Sequence, residues 1–158
     1  MRKITILFVL LLFGVYCNAQ KKKEIKKFRI KSISVCDAEN GKMLNDSKMI
    51  FDSNGETIEE INFDKAGQMK STTKYKYNSE GDLLEEAEYD GKNALKEKRS
   101  SKYNSLGEKI EEIVTDTNGK IIKRMVYTYD SKGLKSEKKT YDGFNVLISV
   151  KKYTYEYK

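Results

Sequence analysis

The chain has 158 residues, which suits one domain better than two. Only 38% of it is hydrophobic and 35% is charged, a composition too lean for a thick two-layer core. There is no histidine, which removes the usual neutral-pH acid/base and the commonest metal ligand, and the net charge is +7.

The first nineteen residues read as a secretory signal peptide. Arg2 and Lys3 make the positive start, Ile4 to Val15 is an apolar run, and Cys17-Asn18-Ala19 offers small residues where a signal peptidase reads. Cleavage is expected before Gln20, lowering the net charge from +7 to +5. The apolar run is too short for an ordinary membrane span, so no transmembrane segment is expected in the mature chain. Lipidation of Cys17 is the competing route, but Tyr16 is bulky where a lipobox takes a small residue. The protein is therefore expected to be exported, to the periplasm, the outer surface or the medium.

Residues 20–27, with Lys21, Lys22, Lys23, Lys26 and Lys27, read as a flexible basic lead. Residues 28–50 read as a degenerate hairpin turning near Asn40-Gly41. Cys36, the one cysteine left after cleavage, reads as a half-buried strand residue with no disulfide partner.

From residue 51 a 26-residue step governs the chain. Phe51, Tyr77, Tyr103, Tyr129 and Tyr155 keep it, as do Gly55, Gly81, Gly107 and Gly133, and Asp64, Asp90, Asp116 and Asp142. The units are 51–76, 77–102, 103–128 and 129–154, with a partial end at 155–158. Each unit has a second glycine (Gly67, Gly91, Gly119 and Gly143), so each holds two turns and two strands. Glycine supplies the positive φ of a tight turn, and the neighbouring Asp, Asn and Ser cap its backbone. Asn54-Gly55, Asn118-Gly119 and Asp142-Gly143 are favoured hairpin dipeptides. The expected fold is all-β: an antiparallel meander of about ten strands in a single sheet, curled into a half-pipe or open barrel. The turn spacing leaves no room for a helix.

Alternation places Met69, Leu95, Ile121 and Leu147 on one face with Tyr75, Tyr77, Tyr103, Tyr127, Tyr129 and Tyr153. Ile61, Ala87, Ile113, Phe63, Tyr89 and Tyr141 are expected to join them. Lys70, Lys74, Lys76, Lys96, Lys98, Lys102 and Lys152 are expected on the other face, giving an aromatic side and a basic side. Ile122, Val126, Ile148 and Val150 break this rule near the C-terminus and point to a covering element or a register shift there.

Tyr127-Thr128-Tyr129-Asp130-Ser131-Lys132-Gly133 resembles the YD repeat of Rhs-type wall and surface proteins, and Tyr75-Lys76-Tyr77-Asn78-Ser79-Glu80-Gly81 matches with Asn for Asp. The resemblance covers about 51–158 and implies long, curling antiparallel sheets. In large Rhs proteins such sheets enclose a toxic payload. Four units are too few for a shell, so that function is not implied; the likeness is to short secreted YD-repeat proteins. MORN-like repeats are also glycine-punctuated hairpins, but their shorter unit fits the step less well.

Asp52-Ser53-Asn54-Gly55 and Asp116-Thr117-Asn118-Gly119 look like calcium loops, yet the position two before Asp52 is Ile50, so alternate oxygen ligands are missing. Glu59-Glu60 and Glu111-Glu112 are sequence neighbours that face opposite sides of a strand, which makes them no acid/base pair. No enzyme activity, metal or cofactor is expected. Nucleic acid is not expected either, since alternation parts the lysines from the tyrosines and export removes the chain from most of it. The expected function is an exported binding module whose aromatic face contacts an envelope or extracellular protein or glycan. The alternative is a structural, self-associating envelope protein.

Overall fold

The computed structural model describes residues 13–39 and 42–158. Strands β1 (Ser32–Glu39), β2 (Lys42–Phe51), β3 (Thr57–Phe63), β4 (Met69–Tyr77) and β5 (Leu83–Asp90) follow one helix, α1 (Phe13–Phe28). Strands β6 (Leu95–Tyr103), β7 (Lys109–Thr115), β8 (Ile121–Tyr129), β9 (Lys135–Asp142) and β10 (Leu147–Lys152) complete the chain. They form one ten-stranded sheet in chain order, every neighbouring pair antiparallel. Sheet order follows chain order and β1 does not pair with β10, so the sheet is an open meander and not a closed barrel. The expected leading hairpin is β1–β2; its pairing of Glu39 with Lys42 brackets positions 40 and 41, which lie outside the described residues.

The turns are built alike. Asp52 N–H donates to Glu56 O at 2.9 Å and Gly55 N–H to Asp52 O at 3.1 Å, which closes a three-residue loop ending in a left-handed residue. The side chain of the first turn residue holds the loop from inside: Asp52 Oδ1 accepts from Asn54 N–H at 2.9 Å and Glu56 N–H at 2.8 Å. Asp64, Asp90, Asn104, Asp116, Asp130 and Asp142 repeat the pair of bonds. Asn54-Gly55 and Asn118-Gly119 are thus the last two residues of a three-residue loop and not a two-residue turn. Gly91 and Gly143 have another reason to be glycine. The left-handed position of their turns is filled by Asn93 (φ 63°) and Asn145 (φ 62°). A Cβ on Gly91 would stand 2.3 Å from Met69 O, and one on Gly143 2.4 Å from Ile121 O. The neighbouring strand leaves no space for a side chain there.

Beyond the leading hairpin, each turn is followed by a β-bulge. After the eight turns from 52–56 to 142–146 the register slips at Ile58, Lys70, Leu84, Lys96, Ile110, Ile122, Ser136 and Ile148, which stand unpaired between paired neighbours. Ile122 and Ile148 are two of the residues that broke the alternation rule, and a register shift is the reason.

The bulges overturn the division into an aromatic and a basic side. Residues directly opposite share a face. Tyr75 is opposite Glu86, which is opposite Arg99, then Val114 and Lys123; this is the front face. Thr72 is opposite Tyr89, Lys74 opposite Ala87, and Ile113 opposite Arg124, all on the back face. Ile61, Ala87, Ile113, Tyr89 and Tyr141 therefore lie with the lysines, because the inserted residue reverses parity across the hairpin. Met69 also changes side: Thr72 Oγ1 donates to Met69 Sδ at 3.3 Å, a contact that unbroken alternation forbids. Both faces are mixed.

A chain of 18.3 kDa that folds compactly exposes about 8,100 Å², whereas this one exposes 12660 Å². A single layer wetted on both sides accounts for much of the excess. The apolar residues that do become buried are Ile25, Phe51, Ala87, Val114, Met125 and Tyr127. Val114, Met125 and Tyr127 form one cluster on the front face, with Tyr129 packed against it. Ala87 is buried on the back face between Lys74 and Lys98, whose aliphatic stems can cover it while the ammonium groups stay in water.

The helix was not expected, and residues 20–27 are its last two turns and not a flexible lead. Lys26 and Lys27 complement the negative end of the helix dipole. Arg29 (φ 52°) ends it in a Schellman motif, with Ile30 N–H donating to Ile25 O at 3.0 Å. The expected signal peptide lies mostly at positions 1–12, outside the described residues; positions 13–19 belong to α1. No described helix is long and apolar enough to cross a membrane. Cys36 is exposed, with Sγ 3.4 Å from Asn45 Oδ1, and not half-buried.

Candidate functional site

Three of the six candidate tyrosines spend their hydroxyls inside the fold. Tyr77 Oη–H donates to Thr57 O at 3.0 Å, Tyr103 to Leu83 O at 3.0 Å and Tyr129 to Lys109 O at 2.8 Å. Tyr155 continues the series to Lys135 O at 2.9 Å. Each tyrosine ends an even-numbered strand, or lies just past one, and ties back to the first residue of the odd-numbered strand before it. This explains why the tyrosine keeps the 26-residue step: it closes the mouth of a hairpin. Phe51, which has no hydroxyl, instead bonds through its backbone, N–H to Lys31 O at 3.0 Å.

The other three candidates differ among themselves. Tyr75 Oη lies 3.5 Å from Glu60 Oε2. Burial, and after it the Glu60 carboxylate, pushes its phenol up to about 12. Tyr127 is buried in the front cluster, with Lys135 Nζ 4.7 Å and Lys138 Nζ 5.6 Å from its ring centre. Burial lifts its phenol to about 12 as well. Tyr153 is exposed, 5.8 Å from the same Lys135 ammonium. The front face brings Tyr127 and Tyr153 together around Lys135, but the six rings make no continuous platform. Of the eight candidate turn glycines, Gly55, Gly67, Gly81, Gly107, Gly119 and Gly133 hold positive φ, and Gly91 and Gly143 do not.

The back face carries two copies of one charge arrangement. Glu85 sits between Lys76 Nζ at 2.9 Å and Lys98 Nζ at 2.5 Å. One repeat later Glu111 sits between Lys102 Nζ at 2.7 Å and Arg124 Nε at 2.6 Å. Hydrogen bonds from the flanking cations hold both carboxyls below the usual carboxylate range, Lys98 contributing most to Glu85 and Lys102 most to Glu111. A carboxylate saturated by two cations stitches three strands together and has little left for substrate chemistry. Among the described residues no group of three or more Cys, Asp or Glu side chains is placed to hold a metal ion.

The structure forms concave sites where the sequence reading placed none, along the rim where the tyrosine-tipped strands turn. Three grooves separate successive turns. The first, of about 440 Å³ between turns 52–56 and 78–82, has α1 as one wall: Lys22, Lys23 and Lys26 line it with Asp52, Glu56 and Tyr77. Lys22 pairs with Glu56, and the Lys22 carbonyl lies so close to Gly55 that a Cβ there would be 2.7 Å from it. Ile25, 3% exposed, lines the adjoining cavity with Phe51. The second groove, of about 620 Å³, lies between turns 78–82 and 104–108 and is lined by Glu80, Asp82, Leu84, Tyr103 and Leu106. The third, of about 630 Å³, comes next, between 104–108 and 130–134. One signal could have found the second groove: Leu106 stands where the other repeats carry Asn54, Glu80 and Lys132, and an apolar turn tip is out of place unless something touches it.

No protein-family model matches the chain, and no curated protein matches it. Solved structures do. A protein of unknown function from Bacteroides fragilis NCTC 9343 aligns over 80% of this chain and 96% of its own, with 15% identity and a TM-score of 0.43. TarM aligns over 85% of this chain and 24% of its own, with 18% identity and a TM-score of 0.31. A DUF3836 family protein from Parabacteroides distasonis ATCC 8503 aligns over 72% of this chain and 92% of its own, with 17% identity and a TM-score of 0.25. Likenesses this distant carry no argument about activity.

Proposed function

We propose that the protein is an exported, non-enzymatic binding module of the YD-repeat kind, which uses its open sheet to contact a protein or glycan of the cell envelope. The observation that supports this reading is architectural. A single layer held by turn caps, tyrosine clamps and carboxylate–cation stitches keeps a large surface in solvent, with open grooves along one rim. The basic start, apolar run and small-residue end of the first nineteen residues support export. Cleavage before Gln20 would leave residues 20–28 of the helix, with Lys22 and Lys26 on the first groove and Ile25 in the adjoining cavity.

Fractionation of producing cells with intact-mass analysis tests the export half. The expected product starts at Gln20 and lies outside the cytoplasm; an uncleaved cytoplasmic chain would overturn it. Chemical cross-linking in intact envelopes tests the binding half and is expected to yield one recurrent macromolecular partner. The alternative, a self-associating structural protein, is favoured by the apolar residues of the β10 edge (Leu147 47%, Ile148 57% and Val150 42% exposed) and by Val146 just before it (56%). Sedimentation of the mature chain separates the two: a concentration-independent monomer supports the module, and progressive assembly supports the alternative.

A further inference from the structure

The charges of this chain are unevenly placed. Residues 51–119 carry ten Lys or Arg and sixteen Asp or Glu, whereas residues 120–158 carry ten and four. One front-face position contributes to the change. Glu60, Glu86 and Glu112 occupy it in the first three units, and Lys138 occupies it in the fourth. Glu86 stands opposite Arg99, but Lys138 stands opposite Lys151, and like charges directly opposed destabilise a sheet. Lys135 brings a third ammonium to this face, 4.7 Å from the Tyr127 ring centre and 5.8 Å from that of Tyr153. The Lys138 ammonium lies 5.6 Å from the Tyr127 ring as well. Among the described residues none of these three lysines forms an ion pair. Two front-face carboxylates at this end are engaged elsewhere. Glu112 holds Lys109 at 3.0 Å, and Asp142 caps its turn by accepting from Phe144 N–H and Val146 N–H, both at 2.9 Å.

We propose that the front face of β8, β9 and β10 binds an acidic polysaccharide of the envelope, through Lys135, Lys138 and Lys151 with the rings of Tyr127 and Tyr153. An anionic group held between Lys138 and Lys151 would turn their repulsion into attraction, and Lys135 would meet the next one along the strand. Tyr153 is exposed, with an apolar ring for the C–H surface of a sugar and a polar tip for its hydroxyls. A lipid surface would need apolar contact beside the cations, but the exposed Val150 stands opposite Lys139 on the back face. The inference rests on the binding-module reading and deepens it by naming the class of partner.

The probes are a fluorescent oligogalacturonate and a fluorescent phosphomannan, each titrated into the mature protein and followed by anisotropy. Saturable binding of at least one is expected, weakening as salt screens the contacts. Lys138→Glu restores the acid of the other three units. It should weaken binding by about tenfold or more, and it should raise the melting temperature, because a carboxylate there attracts Lys151. Lys151→Glu, made from the other side of the pair, should do the same on both counts. Lys65→Glu, an equal charge change at an exposed turn of the first unit, should leave binding as it is. Four results overturn the proposal: saturable binding of neither glycan, equal loss with Lys65→Glu, a melting temperature lowered by both pair substitutions, or tighter binding of phosphatidylglycerol vesicles or oligothymidylate than of either glycan. The second would reduce the contact to net charge, the third would make the lysines structural, and the fourth would assign the face to another class of ligand. A protein partner cross-linked in the envelope while both glycans fail would leave the binding-module reading standing and remove this inference alone.

Discussion

Replacing Tyr103 by Phe removes one hydroxyl and nothing else. The ring stays, so the loss is the bond to Leu83 O at 3.0 Å. A neutral hydrogen bond of this kind contributes about 1 kcal/mol net. For a chain of this size 1 kcal/mol is about 3 °C in Tm. That is measurable but small, and the repeat offers amplification. Successive clamps stand two strands apart, about 10 Å, far enough for their effects to add. Tyr77→Phe, Tyr103→Phe and Tyr129→Phe combined should therefore cost about 3 kcal/mol. Urea titration followed by circular dichroism is the assay: the midpoint should fall in equal steps as clamps are removed, at constant slope. Tyr89→Phe is the control, a back-face tyrosine whose ring faces Lys74 at 5.3 Å and whose change should stay within about 0.5 kcal/mol. If the triple variant lost no more than this control, the clamps would have no energetic role and the 26-residue tyrosine step would need another explanation.

Alkali should act through the same rings. Tyr75, Tyr77 and Tyr127 have phenols raised to about 12, chiefly by burial, so their contribution is complete below pH 10 and is lost as pH rises toward 12. Tyrosinate absorbance should show these three ionising late and together with unfolding. Acid should act through Glu85 and Glu111, whose carboxyls are lowered by their cation partners. Their contribution is present above the ordinary carboxylate range and fades as pH falls through the lowered values, so Glu85→Gln with Glu111→Gln should flatten the acid limb of stability against pH. Gly107→Asn should be nearly neutral, since Asn93 and Asn145 already hold the same left-handed turn position. Gly91→Ala should cost about 1–3 kcal/mol, because its Cβ meets the Met69 carbonyl; equal melting shifts for these two variants would refute the distinction.

The repeat was legible because its parts are local. Each turn needs an acid or amide at its first position and a glycine or asparagine at its fourth, all within one short phrase, so strand number and turn positions could be read from spacing. The faces were not legible. A bulge adds no unusual residue: Lys70 and Ile122 look like any strand residue, yet each reverses the parity of the residues after it. The destination of a hydroxyl was hidden too, since Tyr103 and Leu83 stand 20 residues apart. The helix was missed because residues 20–27 have one apolar side chain, Ile25, and that one suffices when Phe51 is there to receive it. The rim grooves arise only when neighbouring turns stand side by side, and Leu106 was the one residue that marked them.

Strands that touch only their chain neighbours also set how this molecule would yield to force. Cooperative cores resist as a whole and then break at once, but here, among the described residues, strand packing runs from each strand to its chain neighbours. Pulled by its ends, the meander would come apart like a zip from its weaker edge, one hairpin at a time. Each 26-residue unit released would lengthen the tether by about 80 Å, the reach of an extended chain less the width of two strands. The fold is in this sense a row of equal tear-strips, and a chain held by its two ends would give way link by link without losing the links that remain.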